Sequence, residues 1–309
     1  MFLKEKDLGI FSNSEVILLK EDSDSKNYLG KLKELKERCS DNKSLIDKID
    51  KEVAIAEAGI YGEDSILFEL KNSGMDLVVI HDLYIETSDG RGAQIDYFVI
   101  TPYVNVIIEC KNLFGNIEIN NKGDFIRTIE YKGRKYKEGI YSPITQNERH
   151  KTVYKDCRKE DKNFATKLLF EKYFDTYNKS IVVLANPKTV VNDRFAKKEI
   201  KDQIIRSDQL VSYLKKLKSD SKSSKKEMRE LGEKILSMNI ENRKDYLKKY
   251  DEFVAESANP MTNTSSEELI CPKCGSKLVL RTAKKGPNAG NQFYGCSGYP
   301  GCKYIKNLQ

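Results

Sequence analysis

Two apolar segments near the middle of the chain predict a pair of neighbouring strands. Residues 95–100 and residues 104–108 are rich in Ile, Val, Phe and Tyr, a composition typical of buried strands. The connection between them contains Pro102, which has no N–H group to donate and therefore ends a strand. We expect the two strands to lie side by side in the core of an α/β domain.

Charged side chains interrupt both predicted strands. Asp96 lies in the first strand, and the triplet Glu109-Cys110-Lys111 ends the second. Because side chains alternate across a strand, Glu109 and Lys111 share one face and Cys110 points to the other. For the same reason Gln94 and Asp96 share a face of the preceding strand. A charge in an apolar strand costs free energy unless it is paired or holds a metal, so the pattern indicates a functional site.

Apolar periodicity and turn residues predict the elements on either side of this pair. The predicted strands are Glu15–Leu19, Met75–Tyr84, Ile117–Ile119, Phe125–Tyr131 and Ile181–Ala185. The predicted helices are Asn27–Arg38, Lys43–Ala58, Gly59–Asn72, a helix opened by Pro143, Asp208–Leu217, Lys226–Met238 and Arg243–Ala255. We expect the first two helices to form a hairpin that packs on the domain; a coiled-coil surface for a partner is the alternative.

The predicted helix at 59–72 contains two glycines close to an acidic residue. Gly59, Gly62 and Glu63 fall on the same face as Ile66 and Leu70. A glycine disfavours a helix by about 1 kcal/mol, so we expect the helix to begin or bend there, or another backbone to approach closely. Glu63 then lies on the inward face. The alternative is that Glu63 only interacts with the dipole at the helix N-terminus.

Composition and charge narrow the class of protein. The chain has 309 residues, enough for two or so domains, and 33% of them are charged. No apolar run approaches the roughly 18 residues that span a bilayer, and residues 1–21 lack the pattern of a signal peptide. We therefore expect a cytoplasmic protein without a membrane partner. The net charge of +7 is only mildly basic and gives weak support for a nucleic-acid partner.

Four of the seven cysteines lie in the last part of the chain, from residue 271 onward. Cys271 and Cys274 form a CxxC pair, and Cys296 and Cys302 form a CxxxxxC pair. Four thiolates in two close pairs suit tetrahedral zinc, which can fold a module too small for a core of its own. The odd total and this clustering argue against a disulfide framework. The pattern predicts structural Zn²⁺ bound by these four cysteines.

The same C-terminal segment combines basic and aromatic residues. Residues 271–309 contain seven Lys or Arg and no acidic residue, interleaved with Phe293, Tyr294, Tyr299 and Tyr304. Cations neutralise phosphates and rings stack on bases, so the segment predicts a platform for nucleic acid, single-stranded in particular. A ribbon used for protein contact or intramolecular packing is the alternative. Through CPKCG, a Leu-rich strand and FYGCSGYPGC, the segment resembles the four-cysteine zinc ribbons at the C-terminus of bacterial type IA topoisomerases.

The central charged residues suit metal-dependent phosphodiester hydrolysis. Carboxylates on adjoining strands can hold Mg²⁺, which prefers hard oxygen ligands and keeps several waters. Asp96 and Glu109 supply such ligands, and Lys111 can reach the same water or phosphate. Glu63 could add a third carboxylate from the preceding helix.

Four ordered motifs in this region together resemble the NERD (nuclease-related) domain of the PD-(D/E)xK nuclease superfamily. They are GIYGE at Gly59–Glu63, QID at Gln94–Asp96, IIECKN at Ile107–Asn112 followed by Gly115, and SPITQNERH ending at His150. The resemblance implies a restriction-endonuclease-like α/β fold, with a mixed central sheet flanked by helices. It also implies an active-site set of Glu63, Asp96, Glu109 and Lys111, with Gln146 as an accessory residue. Two roles stay open for His150: contact with the substrate, or a capping or core position.

These observations predict five segments. They are an N-terminal helical region (1–58), a NERD-like nuclease core (59–218), a charged helical segment (219–258), a linker (259–270) and a zinc ribbon (271–309). The predicted metal ligands in the core are Glu63, Asp96 and Glu109, for Mg²⁺ or Mn²⁺.

The predicted function is metal-dependent hydrolysis of phosphodiester bonds, in DNA rather than RNA, during DNA processing or defence. The alternative is a non-catalytic nucleic-acid binding or recruitment protein that acts with a helicase or topoisomerase. A third hypothesis is a protein-interaction scaffold that uses the N-terminal and charged helices. A helicase, a topoisomerase or a second copy of the chain are the candidate protein partners.

Overall fold

The computed structural model of the protein describes residues 14–39, 42–160, 162–241, 246–250, 270–283 and 291–307. The chain divides into two compact units, Met1–Leu247 and Lys248–Gln309. Most of the predicted helix Arg243–Ala255 and nearly all of the predicted linker 259–270 lie outside the described residues. Within the described part, no helix is both long enough and apolar enough to cross a membrane.

The first unit contains a six-stranded sheet, a four-stranded sheet and seven α-helices in its described part. The strands are β1 (Val16–Lys20), β2 (Leu77–Glu86), β3 (Gly92–Ile100), β4 (Asn105–Lys111), β5 (Asn116–Ile119), β6 (Phe125–Tyr131), β7 (Arg134–Ile140), β8 (Asn178–Leu184), β9 (Val191–Asn192) and β10 (Ile204–Arg206). The helices are α1 (Asp24–Arg38), α2 (Lys43–Lys71), α3 (Pro143–Glu160), α4 (Phe164–Tyr177), α5 (Lys198–Lys201), α6 (Leu210–Lys216) and α7 (Lys225–Leu236).

The six-stranded sheet has the order β1-β2-β3-β4-β8-β10 and is mixed. The β2–β3 and β3–β4 pairs are antiparallel, whereas β1–β2, β4–β8 and β8–β10 are parallel. Helices α2 and α6 bury Ile66 and Leu210 against one face. Helices α3, α4 and α7 bury Tyr154, Phe174 and Ile235 against the other face. This arrangement confirms the predicted mixed α/β sheet flanked by helices.

The two N-terminal helices form the predicted hairpin. Lys26 of α1 pairs with Asp64 of α2 at 3.1 Å, and Lys33 pairs with Glu57 at 2.9 Å. The higher-numbered partner on α1 meets the lower-numbered partner on α2, so the helices run antiparallel. Leu32 is fully buried between the layers.

The predicted break between two helices near residue 59 is wrong, because α2 is one helix of 29 residues. It begins after Asn42, whose side chain accepts a hydrogen bond from the Leu45 N–H, and it continues through both glycines. The helix therefore crosses the predicted segment boundary between residues 58 and 59. Tertiary packing of its apolar face outweighs the low helix propensity of glycine.

The two glycines of α2 differ in their surroundings. A Cβ atom on Gly62 would lie 2.9 Å from Asn112 Cβ and 3.1 Å from Cys110 Sγ, at the end of β4. A Cβ atom on Gly59 would meet nothing within 4 Å. The predicted close approach of another backbone is therefore found at Gly62 alone, where it brings α2 against the end of the central strand.

Helix α4 was not apparent in the sequence. It lies between α3 and β8, and its exposed Phe164, Leu168 and Leu169 obscure the amphipathic period.

Helix α7 confirms the predicted helix Lys226–Met238 to within two residues at each end. The sequence placed this helix in a separate charged segment, yet its residues Met228 and Ile235 are buried in the core of the first unit. The charged face of this helix is solvent-exposed, while its apolar face covers the sheet.

The four-stranded sheet has the order β7-β6-β5-β9; β5, β6 and β7 are inserted between β4 and α3, and β9 follows β8 in the chain. Strands β5, β6 and β7 are antiparallel neighbours, and β9 pairs with β5 in parallel. Its small core contains Ile117, Phe125 and Ile140, together with Ile144 from the first turn of α3. The insertion is therefore packed at its base against the helix that follows it.

The second unit contains a three-stranded antiparallel sheet in its described part. The strands are β11 (Leu278–Thr282), β12 (Gln292–Cys296) and β13 (Ile305–Asn307), in that spatial order. Strands β11 and β12 confirm the two ribbon strands that the apolar residues 278–280 and 293–294, between the cysteine pairs, predict.

We predict opposite effects of the same substitution at the two glycines of α2. Gly62→Ala overpacks the contact with β4, so we expect it to lower the free energy of unfolding by about 1–3 kcal/mol. Gly59→Ala is the matched control and should raise this free energy by up to about 1 kcal/mol through helix propensity. Urea unfolding of both variants tests this, and equal effects would contradict the close approach at Gly62.

Candidate functional site

A gap between β3 and β4 forms the centre of the site. Pairing of the two strands runs from Ile100 and Asn105 to Tyr97 and Ile108 and then stops. Beyond this point β4 stays paired to β8 as far as Lys111. The Cys110 N–H donates instead to Oδ2 of Asp96 at 2.6 Å. A carboxylate thus replaces the backbone partner, and the two strands separate where the charged residues lie.

Glu109 lies on β4 and is almost fully buried, with 1% of its surface exposed. Lys111 Nζ lies 2.6 Å from its Oε1, and His150 Nδ1 lies 3.3 Å from its Oε2. The imidazole is not oriented for a hydrogen bond, so Oε2 and Nδ1 are both buried without a hydrogen-bond partner in the described part of the chain. A buried carboxylate oxygen without a hydrogen bond lowers the stability of the fold. This oxygen is therefore available to bind a cation.

Glu63 reaches the site from the opposite face of the sheet, on α2. Its carboxylate lies 3.1 Å from His81 Nε2, and the hydroxyls of Ser23 and Ser25 donate to it at 3.4 Å. The Tyr97 hydroxyl donates to the Glu63 carbonyl at 2.8 Å. Because Glu63 lies in the middle of α2, the alternative of a role at its own helix N-terminus is wrong. Its carboxylate lies instead beside the first turn of α1.

His81 is a site residue that the sequence reasoning missed. It is 1% exposed, stacks on the Tyr97 ring at 4.5 Å, and contacts the Glu21 carbonyl with Nδ1 at 3.1 Å and Glu63 with Nε2. A carbonyl and a carboxylate both accept hydrogen bonds. His81 therefore joins β2 to both α2 and the segment before α1. A histidine in an apolar strand, as in LVVIHDLYI, was the available signal.

The buried charges shift the pKa values of their neighbours. Burial raises the pKa of Asp96 well above its ordinary value, and the negative charges of Glu109 and Glu63 raise it further. Burial alone would lower the pKa of Lys111, but Glu109 and Asp96 outweigh it and the pKa is raised. Burial also raises the pKa of the Cys110 thiol. The site thus holds an excess of negative charge, together with a lysine that keeps its proton.

The residues present fit a hard divalent cation held by two carboxylates. Glu109 has an unpartnered oxygen, and Asp96 uses only Oδ2 in a hydrogen bond. Mg²⁺ needs only one or two carboxylates, because it keeps several waters. The carboxylates of Glu63, Asp96 and Glu109 do not all lie within 4.8 Å of one another. Ligation of a metal by Glu63, Asp96 and Glu109 therefore stays a prediction.

Helix α3 carries the other candidate residues. The buried Asn147 donates from Nδ2 to the Ile107 carbonyl at 3.0 Å and to the Ile181 carbonyl at 2.8 Å. It fixes α3 across β4 and β8, one turn before His150, and sequence reasoning missed it. Gln146 is half-buried, and its side chain makes no hydrogen bond to the described residues. Its accessory role stays a prediction.

The four predicted zinc ligands come together in the second unit. Four sulfur atoms all lie within 4.8 Å of one another, those of Cys271, Cys274, Cys296 and Cys302. Among the described residues, no other group of three or more Cys, His, Asp or Glu places its ligand atoms this close together. Cys271 and Cys302 are 3.6 Å apart, and Cys274 and Cys296 are 3.3 Å apart. Thiolates around tetrahedral zinc are separated by about 3.8 Å, so the cluster fits Zn²⁺.

The fold and the two sites define a mixed α/β domain combined with a four-cysteine zinc module. Residues 58–185 match the family described as Nuclease-related domain (NERD), and residues 268–309 match the Topoisomerase DNA binding C4 zinc finger. The chain therefore contains a NERD nuclease-related domain and a topoisomerase-type C4 zinc ribbon, as the sequence motifs predicted. All predicted residues of the central site fall in the first range, and all four cysteines fall in the second.

Curated relatives match over short segments. DNA topoisomerase 1 of Methanocaldococcus jannaschii is 55% identical over 42 residues, which are 14% of this chain and 5% of that protein. Uncharacterized protein YrdD of Escherichia coli is 51% identical over 39 residues, 13% of this chain and 19% of that protein. An uncharacterized protein of Haemophilus influenzae is 42% identical over 45 residues, 15% of this chain and 22% of that protein. The chain thus spans less than a quarter of each relative, and no solved structure matches it.

We predict that Asp96→Asn stabilises the protein when divalent metal is absent. The folded protein holds the Asp96 proton more tightly than the unfolded chain, so ionised Asp96 destabilises the fold above its raised pKa. This effect disappears as the pH falls toward the ordinary value of 3.8. We expect a gain of about 1 kcal/mol or more at neutral pH, since one unit of pKa corresponds to about 1.4 kcal/mol.

Thermal unfolding from neutral pH down to pH 4 measures this difference. Asp220→Asn, at an exposed carboxylate, is the matched control and should change nothing. A destabilised Asp96→Asn at neutral pH, or a difference that grows in acid, would contradict the charge excess.

We predict that zinc removal unfolds the second unit and leaves the first unit folded. Cys274→Ser should abolish stoichiometric zinc, whereas Cys157→Ser, in the first unit, should retain it. Elemental analysis measures the zinc, and NMR of the full chain follows the signals of β11–β13. Unchanged zinc content in Cys274→Ser would refute the ligand assignment.

Proposed function

We propose that the protein is a nuclease that hydrolyses phosphodiester bonds in DNA, with Mg²⁺ or Mn²⁺ bound in the gap between β3 and β4. The observation that carries the proposal is the buried Glu109, which has Lys111 at one oxygen and a second oxygen without a hydrogen bond to the described residues. Its position in a nuclease-related domain supports the same chemistry. A cytoplasmic location, expected from the sequence, belongs to this proposal.

The carboxylates of Asp96 and Glu109 would hold the metal, with Glu63 as the candidate third ligand. When bound, Mg²⁺ supplies a water of lowered pKa and neutralises charge on the phosphate. The raised pKa of Lys111 keeps this side chain cationic at neutral pH. Lys111 therefore orients the water and stabilises the negative phosphate, and it is unsuited to act as a general base.

Helix α3 completes the proposed site. His150 lies 3.3 Å from Glu109, so its imidazole can hold the carboxylate in place or donate to a phosphate oxygen. Asn147 fixes this helix on β4 and β8. Gln146 is the accessory residue implied by the NERD motif, one turn before His150 on the same helix.

The zinc ribbon supports nucleic acid as the substrate. The matching family is described as a DNA-binding finger of topoisomerases, which favours DNA over RNA. Phe293 and Tyr294 lie on β12 and Tyr299 is 60% exposed beside Arg281. Phe293 lies opposite Arg281 in the register, so this ring and this cation share a face of the sheet. Such a face suits stacking on bases with neutralisation of phosphates.

A non-catalytic nucleic-acid binding protein is the second candidate. Two sets of contacts favour it. Lys111 already neutralises Glu109, and His81 together with two serines already contacts the Glu63 carboxylate. These contacts balance part of the site charge without a metal. In this case the central residues would act in structure or binding, and recruitment of a helicase or topoisomerase would be the function.

A cleavage panel with Mg²⁺, Mn²⁺ and Ca²⁺ on single-stranded, duplex and branched DNA and on RNA tests the nuclease proposal. We expect Asp96→Ala and Lys111→Ala to lower cleavage by about 100-fold or more, because each removes stabilisation of the transition state. Binding to the same DNA should be retained. Lys215→Ala, at an exposed lysine of α6, is the matched control and should cleave normally.

Two results would contradict the proposal in different ways. Wild-type protein that binds nucleic acid and cuts none of these substrates would favour the non-catalytic function. Cleavage that persists in Asp96→Ala would overturn the assignment of the site and leave the activity standing.

A further inference from the structure

The β6–β7 hairpin is an exposed arm whose chemistry the proposed site does not use. Along β7 the residues from Arg134 to Gly139 are all exposed. The turn at Lys132 and Gly133 has φ values of 49° and 74°, which is the two-residue type I′ turn of a tight hairpin. The arm therefore has a defined shape, although little of it is buried in the core.

The charge of the arm is concentrated at its tip. Residues 125–140 contain five Lys or Arg and two Glu. Arg127 pairs with Glu138, and Lys137 lies 3.6 Å from Glu118. The remaining cations, Lys132, Arg134 and Lys135, have no carboxylate partner in the described part of the chain.

Exposed aromatic rings lie on the same face of the arm as Arg134, whereas Lys135 lies on the other face, opposite Glu130 in the register. The register pairs Tyr131 with Arg134 and Ile129 with Tyr136, so these four side chains share a face. Tyr131 is 61% exposed and Tyr136 is 53% exposed. A cross-strand contact with Ile129 would stabilise the hairpin, and this is sufficient reason for an aromatic ring at Tyr136. It does not explain unpaired cations beside the rings.

The base of the arm joins the two chain segments that build the central site. The arm follows Lys111 in the chain, and α3 with His150 begins three residues after Ile140. Between them, Tyr141 is 57% exposed and carries Arg149 above its ring at 5.4 Å. Exposed rings and guanidinium groups therefore continue from the arm to the helix that carries His150.

From this arrangement we infer that the β6–β7 arm binds single-stranded nucleic acid and leads it to the central site. Phosphates lie against Lys132, Arg134 and Lys135, and bases stack on Tyr131 and Tyr136. Flat exposed rings need unpaired bases, which favours a single strand over a duplex. The inference rests on the proposed function for the kind of ligand, but binding by the arm does not require that the site cleaves.

Binding of fluorescent single-stranded DNA by the full chain, without Mg²⁺ or Mn²⁺, tests the inference. We expect Arg134→Gln with Lys135→Gln to weaken binding about fivefold or more. The slope of log affinity against log salt should fall by about 1.4, because each phosphate contact contributes about 0.7 for single strands. Lys215→Gln with Lys216→Gln, on exposed α6, removes the same charge and should change neither quantity.

A second variant tests stacking without changing charge. Tyr131→Ile with Tyr136→Ile keeps β-forming apolar residues but removes the flat rings. We expect weaker binding of single-stranded DNA, with an unchanged slope of log affinity against log salt. Comparison with a duplex and with an RNA strand of the same length shows which form of nucleic acid the arm prefers. The double variant Arg134→Gln with Lys135→Gln, called here the tip-charge variant, removes no packed side chain. Its binding data therefore still test the inference if the tyrosine variant fails to fold.

Equal affinity of the tip-charge variant and its α6 control would overturn the inference, and so would a loss confined to duplex. These outcomes are separate from failure of the proposed nuclease. A wild-type protein that does not cleave, yet binds single strands through the arm, would refute the nuclease and support the arm.

Discussion

The hydrogen bond from the Cys110 N–H to Asp96 is the interaction on which the candidate site depends. In a regular sheet this N–H would meet a backbone carbonyl of β3. Here a carboxylate takes that place, so β3 and β4 separate while β4 stays anchored to β8. The gap joins the two faces of the sheet at one end. Groups from α2 on one face and from α3 on the other can therefore converge, although each helix covers a different side of the core.

Close packing and charge pairing maintain this arrangement in the absence of a ligand. Gly62 allows α2 to approach the end of β4, which brings Glu63 to the gap. His81 and the first turn of α1 then satisfy Glu63, and Lys111 satisfies one oxygen of Glu109. The compensation is incomplete, since the other Glu109 oxygen has no hydrogen bond and the pKa of Asp96 is raised. A divalent cation would supply the charge that the described residues leave uncompensated.

The site residues that were predictable from the sequence lie on two strands that follow each other in the chain, β3 and β4. Asp96, Glu109 and Lys111 interrupt apolar strands, and period two then fixes the faces that they share. His81 and Asn147 could not be assigned in this way, because their partners come from distant parts of the chain. His81 joins β2 to α2, and Asn147 joins α3 to β4 and β8. The continuity of α2 also escaped prediction, since glycine propensity is local whereas the packing that overrides it is tertiary.

The central claim is that Asp96 and Glu109 form a site for one hard divalent cation. Calorimetric titration of the zinc-loaded full chain with Mn²⁺ tests it most directly, because the measurement requires neither a substrate nor turnover. We expect stoichiometric binding by the wild-type protein, and loss of this binding in Asp96→Asn while zinc in the ribbon is retained. Absence of Mn²⁺ binding in the wild-type protein, or unchanged binding in Asp96→Asn, would contradict it.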